Sequence, residues 1–238
     1  TLAKPSTSSV ASATVLVSVG ATPVANVADG IEVMECMAQI PGSDPVDLVL
    51  RARSGTKGAD LLKQTNSNDH LLVSGVITLD EAGTILTAGV ICSATDQQFF
   101  NEIVLVGNLA REGTPSESGK SLRRSMAVDK VRRDPSGEFQ TETDWFMVRA
   151  NQGKNPSSGT TMMDRLGNAA KGSMVQINGM LIQRLNKQEK PYVEVLARKL
   201  KVHKRGGGGS RPDPAQGLKV AGYEPEAFQE DDDMPANW

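Results

Sequence analysis

A tryptophan in a basic stretch is the residue of this sequence whose chemistry is most distinctive. Trp145 lies in the segment 143–150, whose β-branched and aromatic residues predict a strand. Aromatic residues make up only 4% of the chain. A strand-borne tryptophan among cations can stack on the bases of a single-stranded nucleic acid while the cations contact its phosphates. The alternative is a core residue, because most tryptophans are largely buried.

The charge is distributed unevenly along the chain. The net charge of −2 hides one basic block between two acidic ones. Residues 1–100 contain 5 Lys and Arg against 10 Asp and Glu, residues 101–205 contain 19 against 11, and residues 206–238 contain 2 against 7. Such asymmetry indicates nucleic-acid contact by the basic block and other duties for the rest.

Several other classes of function are not supported. We find no Ser/His/Asp set, carboxylate cluster or phosphate-binding glycine loop, so we expect a non-catalytic protein without a cofactor. His70 and His203 have no further ligands at metal-binding spacing, so no metal is expected. No apolar run reaches the roughly 18 residues of a membrane span. Cys36 and Cys92 lie in apolar strand-like runs and are predicted to be buried thiols.

The order of predicted elements occurs twice. Residues 14–20, 31–40, 47–53, 71–79 and 84–92 predict strands, and residues 58–63 predict a short helix. Segments 102–107, 144–153, 162–166, 175–181 and 192–197 repeat this order. A helix between the third and fourth of five strands is the order of the OB barrel. The predicted fold is therefore mainly β, with two tandem five-stranded OB barrels.

We divide the chain into four parts. Residues 1–13 are predicted to be a flexible N-terminus, 14–98 a degenerate OB fold for assembly, and 99–205 a basic OB fold for binding. Residues 206–238 follow a glycine run and are predicted to be a disordered tail. We align Leu48 of the first repeat with Trp145 of the second, so that the first repeat lacks the stacking ring.

The candidate binding residues are cations and aromatic residues of the second repeat. Several of the cations fall on or near two predicted hairpins, which could wrap a strand of nucleic acid. The predicted contacts are Trp145, Arg123, Arg124, Lys130, Arg132, Arg133, Phe139, Arg149, Lys154, Lys171, Arg184, Lys187, Lys190 and Tyr192. The alternative for scattered lysines and arginines is a solvated charged surface.

The end of the chain combines acids with apolar residues. An apolar tip on a flexible tether suits a peptide that docks in a pocket of another protein, with the acids meeting a basic rim. A purely solubilising acidic tail would not need an apolar tip. The predicted protein-interaction residues are Asp231, Asp232, Asp233, Met234, Pro235 and Trp238.

The second repeat and the tail resemble the bacterial single-stranded DNA-binding protein family. The resemblance rests on residues 101–109, 143–146, 171–179 and, most specifically, the tip 231–235. It implies a protein of the bacterial cytoplasm and nucleoid that binds single-stranded DNA during replication, recombination and repair. It also implies that replication and repair proteins are recruited through the acidic tip. Two barrels in one chain resemble the minority of the family that forms homodimers.

The sequence departs from the family pattern in ways that leave alternatives open. Val131, Gln152 and Asn186 fill positions where relatives usually have stacking rings, and the chain continues beyond Pro235 to a terminal Trp238. With fewer rings, the protein should depend more on phosphate contacts. An RNA-binding or RNA-chaperone OB protein, or a structural OB scaffold of a replication complex, remains as an alternative function.

Overall fold

The computed structural model describes residues 9–80, 83–95, 99–133, 138–153, 160–186 and 188–204. The described elements of the first half are β1 (Val10–Val19), β2 (Val24–Ala28), β3 (Ile31–Ile40), β4 (Val46–Arg53), α1 (Lys57–Lys63), β5 (His70–Asp80) and β6 (Gly83–Ala94). Those of the second half are β7 (Asn101–Leu109), β8 (Thr114–Pro115), β9 (Ser121–Arg133), β10 (Phe139–Asn151), α2 (Met162–Asn168), β11 (Met174–Leu185) and β12 (Pro191–Lys204).

Each half closes into a five-stranded barrel. In the first barrel β1 pairs antiparallel with both β3 and β5, and β4 pairs in parallel with β6. The second barrel repeats these pairings with β7, β9, β11, β10 and β12. Each helix lies between the third and fourth barrel strands, so the predicted pair of OB barrels is confirmed. The short strands β2 and β8, which the pattern did not predict, extend the sheet beside β3 and β9.

Residues that hold the same place in the two sets of pairings are called counterparts here. Ser18 pairs with His70 and Gln39, whereas Asn108 pairs with Met174 and Ala127, so Ser18 and Asn108 are counterparts. The counterpart relation applies to irregular features too. Both β5 and β11 are bulged just before a glycine, Gly75 and Gly179. A Cβ at either position would lie 2.1 or 2.2 Å from a carbonyl oxygen of the neighbouring strand, so each bulge requires glycine.

The two barrels are joined by a direct strand pairing. Residues 10–15 of β1 pair antiparallel with residues 101–106 of β7. Ala13 pairs with Ile103, and these two residues are counterparts of each other. An approximate twofold axis therefore passes through this pair. The predicted boundary of a flexible N-terminus at residue 13 is therefore wrong. The Ser/Ala-rich residues from Val10 onward form a strand because β7 satisfies their backbone groups and Ala11 and Ala13 fit the buried face.

The interior of both barrels is apolar and follows the alternation of each strand. Odd-numbered residues of β7 point inward, and the even-numbered residues from 144 to 150 of β10 do the same, as their burial shows. Cys36 is buried as predicted, and burial raises the pKa of its thiol to about 11. Cys92 is exposed, so its predicted burial is wrong, because it lies near the end of β6 beyond the barrel interior. None of the helices in the described ranges could cross a membrane.

Helix α2 is fixed at both ends by side chains. At its start Thr161 and Asp164 form a reciprocal capping box. At its end the guanidinium of Arg124 donates to the carbonyl oxygens of Leu166, at 2.8 Å, and Ala169. Carbonyls at a helix C-terminus attract a cation because they carry the negative end of the helix dipole.

Arg124 is consequently an interior residue and not a surface contact. Its exposure is 1%, and its Nε also donates to the carbonyl oxygen of Arg111 at 2.8 Å. Burial lowers the pKa of this guanidinium, and Glu112 opposes the shift. The prediction that Arg124 binds nucleic acid is therefore corrected. The preceding residue, Arg123, faces outward, because consecutive side chains of a strand point to opposite faces of the sheet.

We expect Arg124→Ala to destabilise the protein by at least about 2 kcal/mol, since it leaves buried carbonyl groups without a donor. Arg124→Lys should rescue little, because one ammonium cannot reproduce the planar guanidinium contacts. Chemical denaturation of both variants measures the loss. Lys171→Ala, which removes an exposed cation before β11, is the matched control and should stay within about 0.5 kcal/mol of wild type. Equal stability of Arg124→Ala and wild type would contradict the assignment of Arg124 as an interior residue.

Candidate nucleic-acid interface

The hairpin of β9 and β10 is longer than its counterpart in the first barrel. Its strands pair without interruption from Ser121 with Asn151 to Arg133 with Phe139. The β3–β4 hairpin ends at the pairing of Ile40 with Val46, the counterparts of Val128 and Asp144. Residues 129–133 and 139–143 therefore form an extension that the first barrel lacks. This extension contains four predicted contacts, Lys130, Arg132, Arg133 and Phe139.

Trp145 lies on the outer face of β10 and is partly exposed, whereas the next residue, Phe146, is buried in the core. The hypothesis that Trp145 is a core residue is therefore not supported. The indole Nε1 is buried and has no hydrogen-bond acceptor among the described residues. A buried indole N–H normally has a partner, so the described residues leave this donor unsatisfied.

The pairings also correct the alignment of the two repeats. Leu48 pairs with Ala38 and Phe146 pairs with Met126, which makes Leu48 the counterpart of Phe146. The counterpart of Trp145 is Asp47, not Leu48. A shift of one residue exchanges the two faces of a strand. The alignment of Leu48 with Trp145 therefore compares an inward residue with an outward one.

Asp47 contributes to the contact between barrels. Its carboxylate accepts hydrogen bonds from Gln39, at 2.8 Å, and from Gln183 of the second barrel, at 3.2 Å. Its backbone N–H donates to Gln183 at 2.9 Å. The first barrel therefore uses for a contact with the second barrel the position that carries a ring in the second barrel.

A buried carboxylate lies at the centre of the outer face of the second barrel. Glu194 on β12 is 1% exposed, and its Oε1 is 2.9 Å from Nε of Arg123 on β9. Its Oε2 is 3.9 Å from Nη1 of Arg149 on β10. Arg123 and Arg149 are directly opposite each other in the β9–β10 pairing, and Arg149 Nε also donates to Asn151 at 3.1 Å. Three strands thus bring two arginines and one glutamate together.

Two further predicted residues belong to the same cluster. Tyr192 and Arg184 are directly opposite in the β11–β12 pairing. The Tyr192 hydroxyl donates to Oε1 of Glu194 at 3.4 Å. Burial raises the pKa of Tyr192, so its hydroxyl remains protonated and can donate at neutral pH. Burial also raises the pKa of Glu194, while the guanidinium groups of Arg123, Arg149 and Arg184 oppose that shift.

Trp145 lies at the edge of this cluster. Met147 pairs in parallel with Glu194, and Trp145 and Tyr192 each precede that pairing by two residues. Both therefore lie on the same side of the pairing and on the same face. The structure thus brings together five of the predicted contacts, which are Arg123, Trp145, Arg149, Arg184 and Tyr192.

Glu194 is not among the contacts predicted from the sequence. Alternation alone places Glu194 on the same face as Tyr192, and this signal was visible in the segment 192–197. The arginines that surround it come from β9, β10 and β11, however, and only the strand order brings them near. A single acid in a basic region therefore gave no indication of its central position.

Lys130 is engaged with carboxylates at the base of the hairpin extension. Its Nζ lies 2.9 Å from Asp144 and 3.5 Å from Glu142. Burial raises the pKa of the Asp144 carboxyl, whereas Lys130 and the backbone N–H of Leu79 in the first barrel lower it. Lys130 thus links β9 to β10 within the hairpin, and its charge is largely balanced by its neighbours, while Asp144 makes the contact with the other barrel.

The remaining predicted contacts either lie away from the cluster or fall outside the residues that the structure describes. Lys171 precedes β11 and Lys190 follows it, so these exposed lysines lie at opposite ends of a strand of 12 residues. Arg132 and Arg133 are placed by their backbone in β9. Lys154, Lys187 and the tip residues Asp231, Asp232, Asp233, Met234, Pro235 and Trp238 lie outside the described residues.

The first barrel has a different charge pattern at the corresponding place. The counterparts of Arg123 and Arg149 are Glu35 and Arg51, which form an ion pair of 2.7 Å. The counterpart of Glu194 is Ile85. The counterpart of Arg184 is Asp80, so the corresponding positions of the first barrel hold two acids and one base, whereas the second carries three arginines around one glutamate. Within the described residues no group of acids, histidines and cysteines could hold a metal ion.

Comparison with known proteins supports the architecture. No family model matches the chain, and no curated protein matches it in sequence. The wild-type single-stranded DNA binding protein from Thermus aquaticus is 14% identical over 88% of this chain and 99% of its own, with a TM-score of 0.56. A deletion mutant of that protein has the same identity and TM-score and covers 86% of this chain and 98% of its own.

A shorter protein matches less well. The Plasmodium falciparum single-stranded DNA-binding protein, solved with its DNA, is 22% identical over 45% of this chain and 96% of its own, with a TM-score of 0.36. That score is too low to support an argument. The match to the T. aquaticus structures spans both barrels, and the predicted resemblance in fold is confirmed. The chain has the tandem-barrel fold of the T. aquaticus single-stranded DNA-binding protein.

Proposed function

We propose that this protein is a non-catalytic single-stranded DNA-binding protein whose second barrel carries the binding face. The observation that carries the proposal is the placement of Trp145 beside the arginine cluster on one outer face. A base can stack on the partly exposed ring while the guanidinium groups attract the phosphates. The T. aquaticus protein of the same fold is itself a single-stranded DNA-binding protein.

The two barrels have separate roles in this proposal. The second barrel extends its β9–β10 hairpin past the barrel and supplies cations there, which lengthens the surface that a strand can follow. The first barrel has Asp47 where the second has Trp145, and it neutralises Arg51 with Glu35. It therefore serves assembly, in agreement with the net negative charge of residues 1–100.

The finer parts of the proposal follow from the resemblance described above. The protein protects single-stranded DNA in the bacterial nucleoid during replication, recombination and repair. Asp231, Asp232, Asp233, Met234, Pro235 and Trp238 recruit replication and repair proteins. Two copies of the chain form a homodimer with four barrels.

Replacement of Trp145 by alanine should weaken binding of an oligothymidylate by about 1–3 kcal/mol, because one stacking platform is lost. Fluorescence anisotropy of a labelled oligonucleotide measures the affinity. Phe99→Ala is the matched control, since this ring is 50% exposed but lies against Gly42 of the first barrel. The control should bind like wild type.

The same measurement distinguishes the alternatives. An unlabelled RNA of the same sequence that competes better than the DNA would favour an RNA-binding protein. If wild type binds neither strand, the protein is a structural scaffold and the proposed function is wrong. Equal affinities of wild type and Trp145→Ala would remove Trp145 from the binding face.

Light scattering should give the mass of two chains at micromolar concentration. One chain already supplies two barrels, and the resemblance to the two-barrel minority of the family implies that two chains assemble. A mass of one chain, or of four, would contradict the dimer. Removal of residues 230–238 should leave the number of chains per particle unchanged, because the last strand of the second barrel ends at Lys204.

The same deletion tests recruitment by the tip. Purified replication and repair proteins that bind the full chain should no longer bind the deleted one, because the apolar residues that would enter their pockets are gone. DNA binding at low salt should tighten, since the acids no longer compete with phosphates for the basic barrel. Partner capture that survives the deletion would show the tail to be a solubilising segment.

A further inference from the structure

We infer that Glu194 is a built-in competitor of DNA phosphate, which holds Arg123 and Arg149 in the free protein and yields them to the bound strand. The inference rests on the proposed function, because it concerns the same face. It assigns to Glu194 the role of setting the affinity and the salt dependence of binding. Three properties of the cluster support this role, namely its charge, its burial and its difference from the first barrel.

The two arginines require an anion between them. They are directly opposite in an antiparallel pair, where Cβ atoms lie about 5 Å apart and like charges are destabilising. The first barrel avoids this repulsion because Glu35 replaces one arginine and pairs with Arg51. The second barrel retains both arginines, and Glu194 from a third strand supplies the missing negative charge.

The relative burial of the glutamate and the two arginines permits a ligand anion from solvent to replace the carboxylate. The side chain of Glu194 is 0% exposed, whereas those of Arg149 and Arg123 are 7% and 14% exposed. The carboxylate therefore lies deepest, and an anion that approaches from solvent meets the arginines first. A phosphate presents oxygen acceptors to guanidinium groups as a carboxylate does, so the two anions satisfy the same donors.

The ion pairs are unequal, which identifies where the exchange begins. Arg123 is 2.9 Å from Glu194, but Arg149 is 3.9 Å away and has Asn151 as a second partner. Arg184 adds a third cation, and its Nε is buried with no hydrogen-bond acceptor within the described ranges. The cluster thus has more positive charge than Glu194 balances, and phosphate can supply the remainder.

The decisive variant is Glu194→Gln, which keeps the shape of the side chain and removes its charge. We expect it to bind an oligothymidylate more tightly than wild type at low salt. If one further phosphate is neutralised, the log–log slope of affinity against salt steepens by about 0.7. The advantage over wild type should then shrink about eightfold between about 50 mM and about 1 M salt.

Glu35→Gln is the matched control, since it removes the same charge from the corresponding ion pair of the first barrel. Its salt slope should equal that of wild type, which separates the effect of the cluster from that of net charge. The double variant Arg123→Gln with Glu194→Gln should lose the gain, because the arginine that would contact the additional phosphate is absent. Anisotropy measurements of all four proteins over the same salt series make the comparison.

Thermal unfolding gives a second readout that depends on competition. Without DNA, Glu194→Gln should unfold at a lower temperature than wild type, because its arginines lack their counter-ion. The oligonucleotide should raise the unfolding temperature of the variant more than that of wild type, since phosphate replaces the missing carboxylate. Should Glu194→Gln fail to fold, Glu194→Asp keeps the charge but lengthens the ion pairs, and should show a smaller gain in the same direction.

The outcomes separate this inference from the proposed function. Failure of wild type to bind the oligonucleotide contradicts the proposed function. If wild type binds but Glu194→Gln binds equally or more weakly with an unchanged salt slope, Glu194 is only a brace between strands and the inference is overturned. A gain in Glu35→Gln equal to that in Glu194→Gln would also overturn it, because net charge would then explain both.

Discussion

The short parallel pairing between β10 and β12 is the constraint on which the candidate binding face depends. It closes the second barrel, and it sets Met147 beside Glu194 so that Arg149 lies within reach of a carboxylate 45 residues away in the chain. The antiparallel pairings of β9 with β10 and of β11 with β12 then bring Arg123 and Arg184 to the same place. Without this closure the arginines would be scattered surface charges, each worth little in water.

The two barrels repeat one set of strand pairings, and they differ at counterpart positions. Glu35 in one barrel corresponds to Arg123 in the other, and this reversal turns a neutral ion pair into a cluster with excess positive charge. Asp47 corresponds to Trp145, so one barrel uses the position for a contact between barrels and the other for a ring. The strand pairing of β1 with β7 holds the barrels together through backbone hydrogen bonds, which leaves the side chains of each barrel free to diverge.

Cations in this protein serve at least three physical roles, and only their surroundings distinguish them. Arg124 is buried among carbonyl oxygens and completes the end of α2. Lys130 is balanced by two carboxylates and fixes the hairpin. Arg149 shares a buried glutamate with a neighbouring arginine at the candidate binding face. The number of lysines and arginines is therefore larger than the number that are available to contact phosphates. The net charge of residues 101–205 also does not show that three of the arginines lie around one glutamate.

The sequence by itself determined the fold class, the duplication and the basic second barrel, because alternation, turn residues and composition are local properties. It also determined that the segment around Trp145 is a strand. Only the tertiary structure decided which face each residue occupies relative to its counterpart, so Leu48 proved to match Phe146. Burial of Arg124 and centrality of Glu194 likewise depended on strands and a helix that are distant in the chain. Local pattern fixes the period of a strand, but pairing across the barrel fixes which side chains meet, and that pairing is a property of the closed sheet.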